Sequence, residues 1–321
     1  MRAPDFWAEG GALPALLAPL GSGYELAGRL RRALAHPVEV PVPVVCVGNL
    51  VAGGAGKTPL ALALLEALAA RGAHCLSRGY GGRASGPLRV DPERHDAAHV
   101  GDEALLLAKR APAWVARDPG AGAPAAVAAG AGAIVMDDGF QNPHLAKDLS
   151  LLVVDGAYGF GNARVMPAGP LRERVAAGLA RADAVVVLGP DARGLGQGLA
   201  GRLPVLHARL APRPDGARLK GRKVLAFAGI GRPEKFFAML GSLGAHVVES
   251  RAFPDHHRYR RAEVEDALAR AEARGAVAVT TEKDAVRLPP ELRNRVEVLA
   301  VTVEWQQPAA LEALLKRLWP A

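Results

Sequence analysis

The 321-residue sequence is poor in cysteine and in aromatic residues, and it contains no long apolar run. Its two cysteines, Cys46 and Cys75, lie in apolar segments typical of strands, without the spacing of a disulfide framework or a zinc site. No stretch reaches the roughly 18 apolar residues that a membrane-spanning helix needs. The N-terminus has no basic region followed by a clean apolar stretch, so we do not expect a cleaved signal peptide.

Acidic residues are outnumbered, with 32 Asp and Glu against 40 Lys and Arg and a formal net charge of +8. Such a balance suits nucleic acid, an anionic membrane surface or an anionic substrate. The basic residues form small scattered clusters and do not alternate with aromatic residues along a stripe. We therefore expect a phosphate-bearing or membrane-associated substrate and no nucleic-acid partner. The length and the 50% hydrophobic content are enough for two domains with cores of their own.

The most informative segment runs from Val44 to Pro59, where an apolar strand leads into a glycine-rich turn and a helix. In Gly53-Gly54-Ala55-Gly56-Lys57-Thr58, backbone N–H groups and a helix N-terminus can bind a polyphosphate. Lys57 adds positive charge, and Thr58 offers a hydroxyl to Mg²⁺. The usual pattern has a glycine five residues before Gly56, where this chain has Val51. The alternative, a glycine-rich turn without a ligand, is disfavoured by the strand before it and the helix after it.

The order of apolar strands and helices predicts an α/β, P-loop NTPase-like fold with a doubly wound, mainly parallel sheet. Residues 41-210 form the predicted phosphate-loop domain, in which the polar, glycine-rich segment 78-100 is typical of a lid. A linker rich in proline and arginine, 211-222, leads to a smaller C-terminal α/β domain at 223-321. Its expected strands include one over Val296–Val303.

Residues 1-40 contain leucines at helical spacing with arginines among them. This pattern indicates an amphipathic helix that lies in a membrane interface or packs on its own domain, and both alternatives stay open. Pro14 and Pro19 predict that the helix is broken into short pieces.

Two pairs of acidic residues follow the phosphate loop. Asp137 and Asp138 end an apolar strand, and in a doubly wound sheet that end lies beside the loop. A carboxylate there can hold Mg²⁺ together with Thr58, and the alternative is an Asp-Asp-Gly turn. Asp102 and Glu103 stand at the start of a helix, where capping is a strong alternative. An Asp that accepts the proton of an attacking hydroxyl is nevertheless the usual arrangement in kinases.

Three further segments are less specific. The run Asp255-His256-His257 can bind a metal, or a histidine in it can orient a catalytic base from the other domain. Thr281-Glu282-Lys283-Asp284, after a strand, is a weak signal alone. Arg172, beside Glu173 at a helix start, is an anion clamp or half of an exposed ion pair.

Taken in order, these segments resemble the tetraacyldisaccharide 4′-kinase family, the lipid A kinases of Gram-negative bacteria. The loop of that family also lacks the first glycine of the usual pattern. Asn142 stands where the family has a histidine, and Ala104 where it has a proline. The matching segments, from about residue 44 to 288, are Gly48-Asn49-Leu50, Gly53 to Pro59, Ser77-Arg78-Gly79-Tyr80-Gly81, Val100-Gly101-Asp102-Glu103, Asp137-Asp138-Gly139-Phe140-Gln141, Pro167 to Glu173, Asp255-His256-His257 and Thr281-Glu282-Lys283-Asp284.

The resemblance implies ATP- and Mg²⁺-dependent phosphorylation of the 4′-hydroxyl of a tetraacylated glucosamine disaccharide 1-phosphate. It places the enzyme at the cytoplasmic face of the inner membrane, where the lid and the N-terminal helix would meet the glycolipid. It implies that Asp102 is the base, with His256 as its partner across the cleft and Lys57 as a further catalytic group. The implied ATP-binding residues are Gly53, Gly54, Ala55, Gly56, Lys57 and Thr58. The implied Mg²⁺ residues are Thr58, Asp137, Asp138 and Glu173. The implied substrate residues are Arg78, Tyr80, Glu103, Gln141, Asn162 and Arg172.

Two other classes of nucleotide-binding protein fit the sequence less well. A deviant-loop partitioning or scaffold ATPase has a lysine directly before the paired glycines, where this chain has Ala52. A GTPase needs an Asn/Thr-Lys-x-Asp loop, and residues 281-284 lack that spacing.

Overall fold

The structure is a computed structural model that describes residues 4–8 and 10–319, so the outermost residues of the predicted segments 1-40 and 223-321 lie outside it. Within the described residues the strands form a nine-stranded sheet, in the order β13-β8-β7-β6-β1-β5-β2-β4-β3, and a four-stranded sheet, in the order β10-β9-β11-β12. The strands are β1 Val44–Gly48, β2 Ala73–Ser77, β3 Leu88–Arg89, β4 Ala113–Val115, β5 Ala133–Asp137, β6 Leu149–Asp155, β7 Ala184–Leu188, β8 Val205–Pro212, β9 Lys223–Ala228, β10 His246–Ala252, β11 Val277–Thr281, β12 Glu297–Leu299 and β13 Val301–Trp305.

Helices cover both faces of the large sheet and pack on the small one. They are α1 Ala12–Ala33, α2 Lys57–Ala67, α3 Ala97–Val100, α4 Asp102–Ala108, α5 Pro119–Ala128, α6 Val175–Leu179, α7 Leu195–Leu199, α8 Pro233–Ser242, α9 Arg261–Glu272, α10 Glu282–Ala285 and α11 Pro308–Lys316.

The large sheet is parallel from β8 to β4, with an antiparallel strand at each edge. Every residue of β1, β5 and β6 is buried, as expected for strands covered on both faces. The predicted doubly wound, mainly parallel sheet is therefore confirmed. Each apolar segment that the sequence predicts as a strand of this sheet matches an observed strand to within two residues at either end. The predicted strands are Val44–Val47, His74–Ser77, Ala113–Ala116, Ala133–Met136, Leu151–Val154, Ala184–Leu188 and Val205–Leu210.

A single 22-residue helix, α1, replaces the short pieces expected from Pro14 and Pro19, so that prediction is wrong. Pro14 lies in the first turn, where a backbone N–H has no partner within the helix. Pro19 removes one internal hydrogen bond, and the helix continues on both sides of it.

The expected strand Val296–Val303 is in fact two strands that belong to different sheets. β12 pairs with β11 in the small sheet, and β13 pairs antiparallel with β8 in the large one. Helix α11 then buries Leu311, Leu314 and Leu315 in the core of the large sheet. Residues 301–319 therefore pack with the first domain, although the sequence places them in the second. The expected linker 211-222 contains the end of β8 and a 3-10 helix, Pro214–Leu219.

Candidate functional site

The phosphate loop connects β1 to α2 at the carboxyl edge of the central strands. Gly56 has a φ of +85°, in the left-handed region that favours glycine, and a Cβ there would lie 2.2 Å from a Leu188 methyl group. Around Gly53 and Gly54 the space is open, because no atom lies within 4 Å of the position of a Cβ. The N-terminus of α2 begins at Lys57, directly after the loop. The loop backbone is thus accessible to an anion, as its sequence predicts.

Lys57 is held at the loop by Asn49, a residue for which the sequence alone indicated no separate role. Lys57 Nζ donates to Asn49 Oδ1 at 3.2 Å and lies 3.7 Å from Asp138 Oδ1. Asn49 is fully buried, and its Nδ2 donates to the carbonyl of Val51 at 2.7 Å. Asn49 therefore fixes both the loop backbone and the direction of the ammonium.

Asp137 ends β5, the strand next to β1, and its side chain lies against Thr58. Thr58 Oγ1 donates to Asp137 Oδ2 at 3.2 Å, and both residues are buried. The other oxygen, Oδ1, is buried without a hydrogen-bond partner among the described residues. Burial, together with the charges of Glu103 and Asp138, raises the pKa of Asp137 to about 7. An orphaned carboxylate oxygen beside a hydroxyl is a hard oxygen donor set, so these residues fit Mg²⁺.

The Asp138 carboxylate, unlike that of Asp137, forms an ion pair with an arginine. Its φ is +58°, and its carboxylate accepts from Arg172 Nη1 at 2.8 Å and from Nη2 at 3.2 Å. Burial of Asp138 is outweighed by the charges of Lys57 and Arg172, which lower its pKa. Asp138 is therefore ionised and paired with two cations, and of these two neighbouring aspartates Asp137 is the one with a buried oxygen that has no hydrogen-bond partner among the described residues.

Both carboxylate oxygens of Glu173 have polar partners, two arginines at one oxygen and an amide at the other. Its Oε2 lies 2.5 Å from Arg181 Nη2 and 3.5 Å from Arg32 Nη1, and its Oε1 accepts from Gln141 at 3.3 Å. No group of three or more His, Cys, Asp or Glu residues in the described part of the chain is arranged to hold a metal ion. Glu173 thus ties α1 to the core through Arg32, and its expected place among the Mg²⁺ residues stays a prediction.

The two sheets meet at Asp102 and His256. Asp102 is the first residue of α4 and is almost entirely buried, and its Oδ2 lies 2.9 Å from His256 Nδ1. Its Oδ1 accepts from the backbone N–H of Glu103 at 2.9 Å. His256 has a φ of +59°, which an L-residue adopts rarely and only when its surroundings hold it there. The structure thus brings together the carboxylate and the imidazole that the sequence places 154 residues apart.

A buried cation that the sequence reasoning missed lies beside this pair. Arg287 Nε is 3.4 Å from Asp102 Oδ2, and Arg287 Nη2 donates to Asp284 Oδ1 at 2.8 Å. Asp284 is itself fully buried and accepts from the Tyr259 hydroxyl at 2.7 Å. The only sequence signal is an Asp followed three residues later by an Arg, which is the spacing of a helical ion pair.

The pKa of Asp102 is lowered by its neighbours. Burial, the largest single influence, acts in the opposite direction. It is outweighed by the hydrogen bond from His256 and by the charges of Lys283 and Arg287. Asp102 is therefore held as a carboxylate in a largely water-free position.

The residues implied to contact a substrate fall into two groups. Arg78 and Tyr80 are exposed, and the Tyr80 ring lies 5.4 Å from the His256 ring. Gln141 and Asn162 are engaged in holding the protein together: Gln141 donates to Asn49 O at 2.9 Å, and Asn162 donates to the carbonyls of Phe6 and Ala168. The other two, Glu103 and Arg172, form ion pairs with Lys283 and Asp138.

A second bridge between the sheets lies beside the phosphate loop. Asp155, at the end of β6, accepts from Arg232 Nη1 at 2.8 Å and from Lys235 Nζ at 2.5 Å. A Cβ on Gly231 would lie 3.8 Å from Gly54 N, so the turn before α8 adjoins the loop. The cleft between the sheets is therefore bounded by the phosphate loop on one side and by small-sheet residues on the other.

Helix α1 presents its large apolar side chains to solvent. Its buried residues are Pro14, Gly21 and Glu25, and Glu25 pairs with Arg174 at 2.7 Å. The helix thus docks through its small and polar face. Its exposed apolar residues are Leu13, Leu16, Leu20, Tyr24, Leu26 and Leu30, with Leu34 just after the helix. Among the described residues no helix is both long enough and apolar enough to span a bilayer.

Comparison with known proteins gives consistent matches over nearly the whole chain. A family model described as tetraacyldisaccharide-1-P 4′-kinase matches residues 13–319. The tetraacyldisaccharide 4′-kinase of Rhodospirillum centenum is 60% identical over 326 residues, which cover 99% of this chain and 97% of that protein. The corresponding protein of Paramagnetospirillum magneticum is 57% identical over 321 residues, 99% of each chain. The crystal structure of LpxK from Aquifex aeolicus, described as an "apo" form in complex with ATP, is 28% identical with a TM-score of 0.77, covering 96% of this chain and 100% of that one.

Proposed function

This chain belongs to the tetraacyldisaccharide-1-P 4′-kinase family, and we propose that Asp102 and His256 form the site at which its acceptor hydroxyl loses a proton. The reaction is transfer of the γ-phosphate of ATP to the 4′-hydroxyl of a tetraacylated disaccharide 1-phosphate. The observation that carries the proposal is the 2.9 Å contact between Asp102 and His256, which joins the two domains. The charge of Glu103, the neighbour of Asp102, helps to raise the pKa of Asp137 beside the phosphate loop. The acceptor half of the site therefore adjoins the ATP-binding half.

The donor half of the site is built from the phosphate loop and the ends of β1 and β5. The open backbone at Gly53 and Gly54 and the N-terminus of α2 receive the phosphate oxygens. Lys57 exchanges its contacts with Asn49 and Asp138 for a phosphate oxygen. Thr58 and Asp137 would hold Mg²⁺, which when bound neutralises charge on the β- and γ-phosphates.

The acceptor half requires a base that is ionised and correctly aimed. As the 4′-oxygen forms its bond to the γ-phosphorus, the bond from that phosphorus to the β–γ bridging oxygen breaks and ADP leaves. The hydroxyl proton passes to the Asp102 carboxylate. The lowered pKa of Asp102 favours late proton transfer, because the hydroxyl becomes acidic only as its oxygen bonds to phosphorus. His256 and Arg287 hold Oδ2, so the carboxylate is oriented before the substrate arrives.

We further infer that α1 lies in a membrane interface, on the cytoplasmic face of the inner membrane where ATP is available. A row of exposed leucines on a helix that docks through its opposite face is the pattern of an interfacial helix. The arginines near its C-terminal end suit anionic headgroups. The acyl chains of the substrate give such a helix a reason to lie at the bilayer surface.

The test is incubation of the full chain with γ-labelled ATP, Mg²⁺ and a tetraacyl disaccharide 1-phosphate. We expect labelled lipid in step with ADP. Asp102→Asn should lower kcat by about 10³-fold or more while ATP still binds, because it removes the base but keeps the shape. Asp215→Asn, an exposed acid outside the site, is the matched control and should change kcat less than about twofold. ADP formation without labelled lipid would contradict the activity, and near-normal turnover of Asp102→Asn would contradict the base.

A further inference from the structure

We propose that Lys283 is a positioning residue that fixes His256 as the neutral tautomer protonated on Nδ1, so that His256 donates to Asp102 and does not accept the proton of the substrate. The proposal rests on the function proposed for Asp102 and His256. It adds the residue that keeps His256 from taking the proton that Asp102 accepts.

The geometry around the His256 ring assigns its proton. Lys283 Nζ lies 3.4 Å from Nε2, and Asp102 Oδ2 lies 2.9 Å from Nδ1. An ammonium has three donors and no lone pair, so the ring nitrogen that faces it must supply the lone pair. In a neutral imidazole the other nitrogen then carries the hydrogen. Nδ1–H consequently donates to the Asp102 carboxylate, and both neighbours favour the same tautomer.

Other charged groups around His256 agree with this assignment. Asp255 Oδ1 lies 3.8 Å from Nε2, beyond hydrogen-bond distance, and it already accepts from the backbone N–H of His256 at 3.0 Å. Tyr80 faces the ring with its own ring and brings no charge. Two further charged groups reach His256 only through its neighbours: Arg287 contacts Asp102, and Glu103 contacts Lys283. Lys283 is thus the cation that meets Nε2.

Lys283 is itself kept charged by three carboxylates. Its Nζ lies 3.1 Å from Glu103 Oε1 and 3.9 Å from Asp255 Oδ1. Burial of Lys283 acts against its charge, but the charges of Glu103, Asp102 and Asp255 outweigh it and raise its pKa. The Lys283 side chain is therefore an ammonium at neutral pH, and Nε2 must present a lone pair to it.

If Nε2 also gained a proton, His256 would become an imidazolium whose N–H points at the Lys283 ammonium. Repulsion between these two positive charges disfavours that state. His256 therefore cannot relay the substrate's proton through Nε2 while Lys283 is in place. In the Ser-His-Asp triad a carboxylate orients a histidine that acts as the base. In this chain the histidine orients a carboxylate that acts as the base. The proton stays on Asp102 until product leaves and solvent enters.

The experiment measures the ¹⁵N shifts of the His256 ring in full-length protein labelled at histidine, between pH 6 and 9. His256→Gln identifies the signals. We expect wild type at pH 8 to show Nδ1 protonated and Nε2 unprotonated. In Lys283→Met the opposing charge is gone, so the midpoint of His256 protonation should rise by about one pH unit or more. A protonated Nε2 in wild type would overturn the proposal without any variant having to fold.

Turnover gives a second, separable reading. In Lys283→Met the imidazolium weakens Asp102 as a base, so kcat at pH 6.5 should fall about tenfold or more and recover towards pH 8.5. Lys283→Arg keeps the charge and should restore most of the wild-type profile. Arg110→Met is the matched control, because Arg110 also joins the two domains, through its ion pair with Glu282 at 2.8 Å, and is not a partner of His256 or Asp102 among the described residues.

An unchanged pH profile and unchanged ¹⁵N shifts in Lys283→Met would refute the role of Lys283. Loss of the same activity in Arg110→Met would show a general effect of the interface and refute it as well. The function proposed for Asp102 fails separately, through normal turnover of Asp102→Asn, since the ¹⁵N measurement needs no turnover.

Discussion

The guanidinium of Arg287 lies 3.4 Å from the carboxylate of Asp102, and each side chain exposes less than a twentieth of its surface. Asp102 begins α4, which packs on the large sheet, and Arg287 follows α10 beside the small sheet, so a cation from one domain helps to keep a carboxylate of the other ionised. Arg287 also donates to Asp284 and to the carbonyls of His257 and Gly229. One arginine thus holds the base, the loop that carries His256 and a buried acid in a single arrangement.

Arg287→Met should both destabilise the protein and slow the reaction. The variant leaves the buried carboxylates of Asp102 and Asp284 without the cation that pairs with them. Removing one partner of a buried ion pair costs about 3–5 kcal/mol of folding stability. We expect kcat to fall at least about tenfold, because the carboxylate is no longer held. Urea unfolding and steady-state kinetics measure the two effects. Arg295→Met, at an exposed position, is the control, and a stability change as small as the control's would disprove the structural role of Arg287.

Asp137→Asn should stabilise the metal-free protein, and more so as the pH rises. Burial raises the pKa of Asp137 in the folded protein to about 7 from an ordinary value near 3.8. A carboxyl group with a raised pKa favours folding only at low pH, and its contribution is lost as pH rises through that range. The difference between the two pKa values corresponds to roughly 4 kcal/mol at most.

Thermal unfolding of wild type and Asp137→Asn, without Mg²⁺ and between pH 5 and 8.5, measures this difference. The advantage of the variant should grow with pH and level off above about 7, and Mg²⁺ with ATP should reduce it by stabilising the wild type. Asp215→Asn should show no such trend, since Asp215 is exposed. A difference independent of pH would contradict the raised pKa.

Leu16→Glu with Leu20→Glu should weaken association with anionic vesicles several-fold. Both leucines are more than half exposed on α1, and each buries apolar surface worth about 1–2 kcal/mol if it enters a bilayer interface. Co-sedimentation with vesicles measures the bound fraction. Val248→Glu replaces an exposed apolar residue of the small sheet and serves as control. Equal pelleting of the double variant and wild type would rule out the interfacial helix.

Asn49→Ala should raise the KM for ATP about tenfold. Its effect on folding stability should be smaller than that of Arg287→Met. The variant removes the acceptor of Lys57 and the donor to the Val51 carbonyl, so both the ammonium and the loop lose their support. Asn49→Asp should have a larger effect, because its carboxylate competes with phosphate for Lys57. Asn294→Ala, at an exposed position, is the control. Unaltered ATP kinetics in both Asn49 variants would contradict the positioning role.

The elements that the sequence predicts well are those encoded by neighbouring residues. Glycines, a lysine and a threonine between an apolar strand and a helix specify the phosphate loop, and the all-apolar strands specify a sheet covered on both faces. Hydrophobic periodicity is a local signal. Periodicity therefore locates the strands of the large sheet. It does not show which sheet β13 joins or that the leucines of α1 face outward.

The sequence by itself determined the phosphate loop, the parallel sheet and the family, since each rests on short segments in a fixed order. Tertiary structure alone decided that Asp137 keeps an unpaired oxygen while Glu173 is paired, and that Lys283 and Arg287 enclose His256 and Asp102. The physical reason is that ion pairing and burial depend on distances between residues far apart in the chain. No spacing along the sequence specifies those distances.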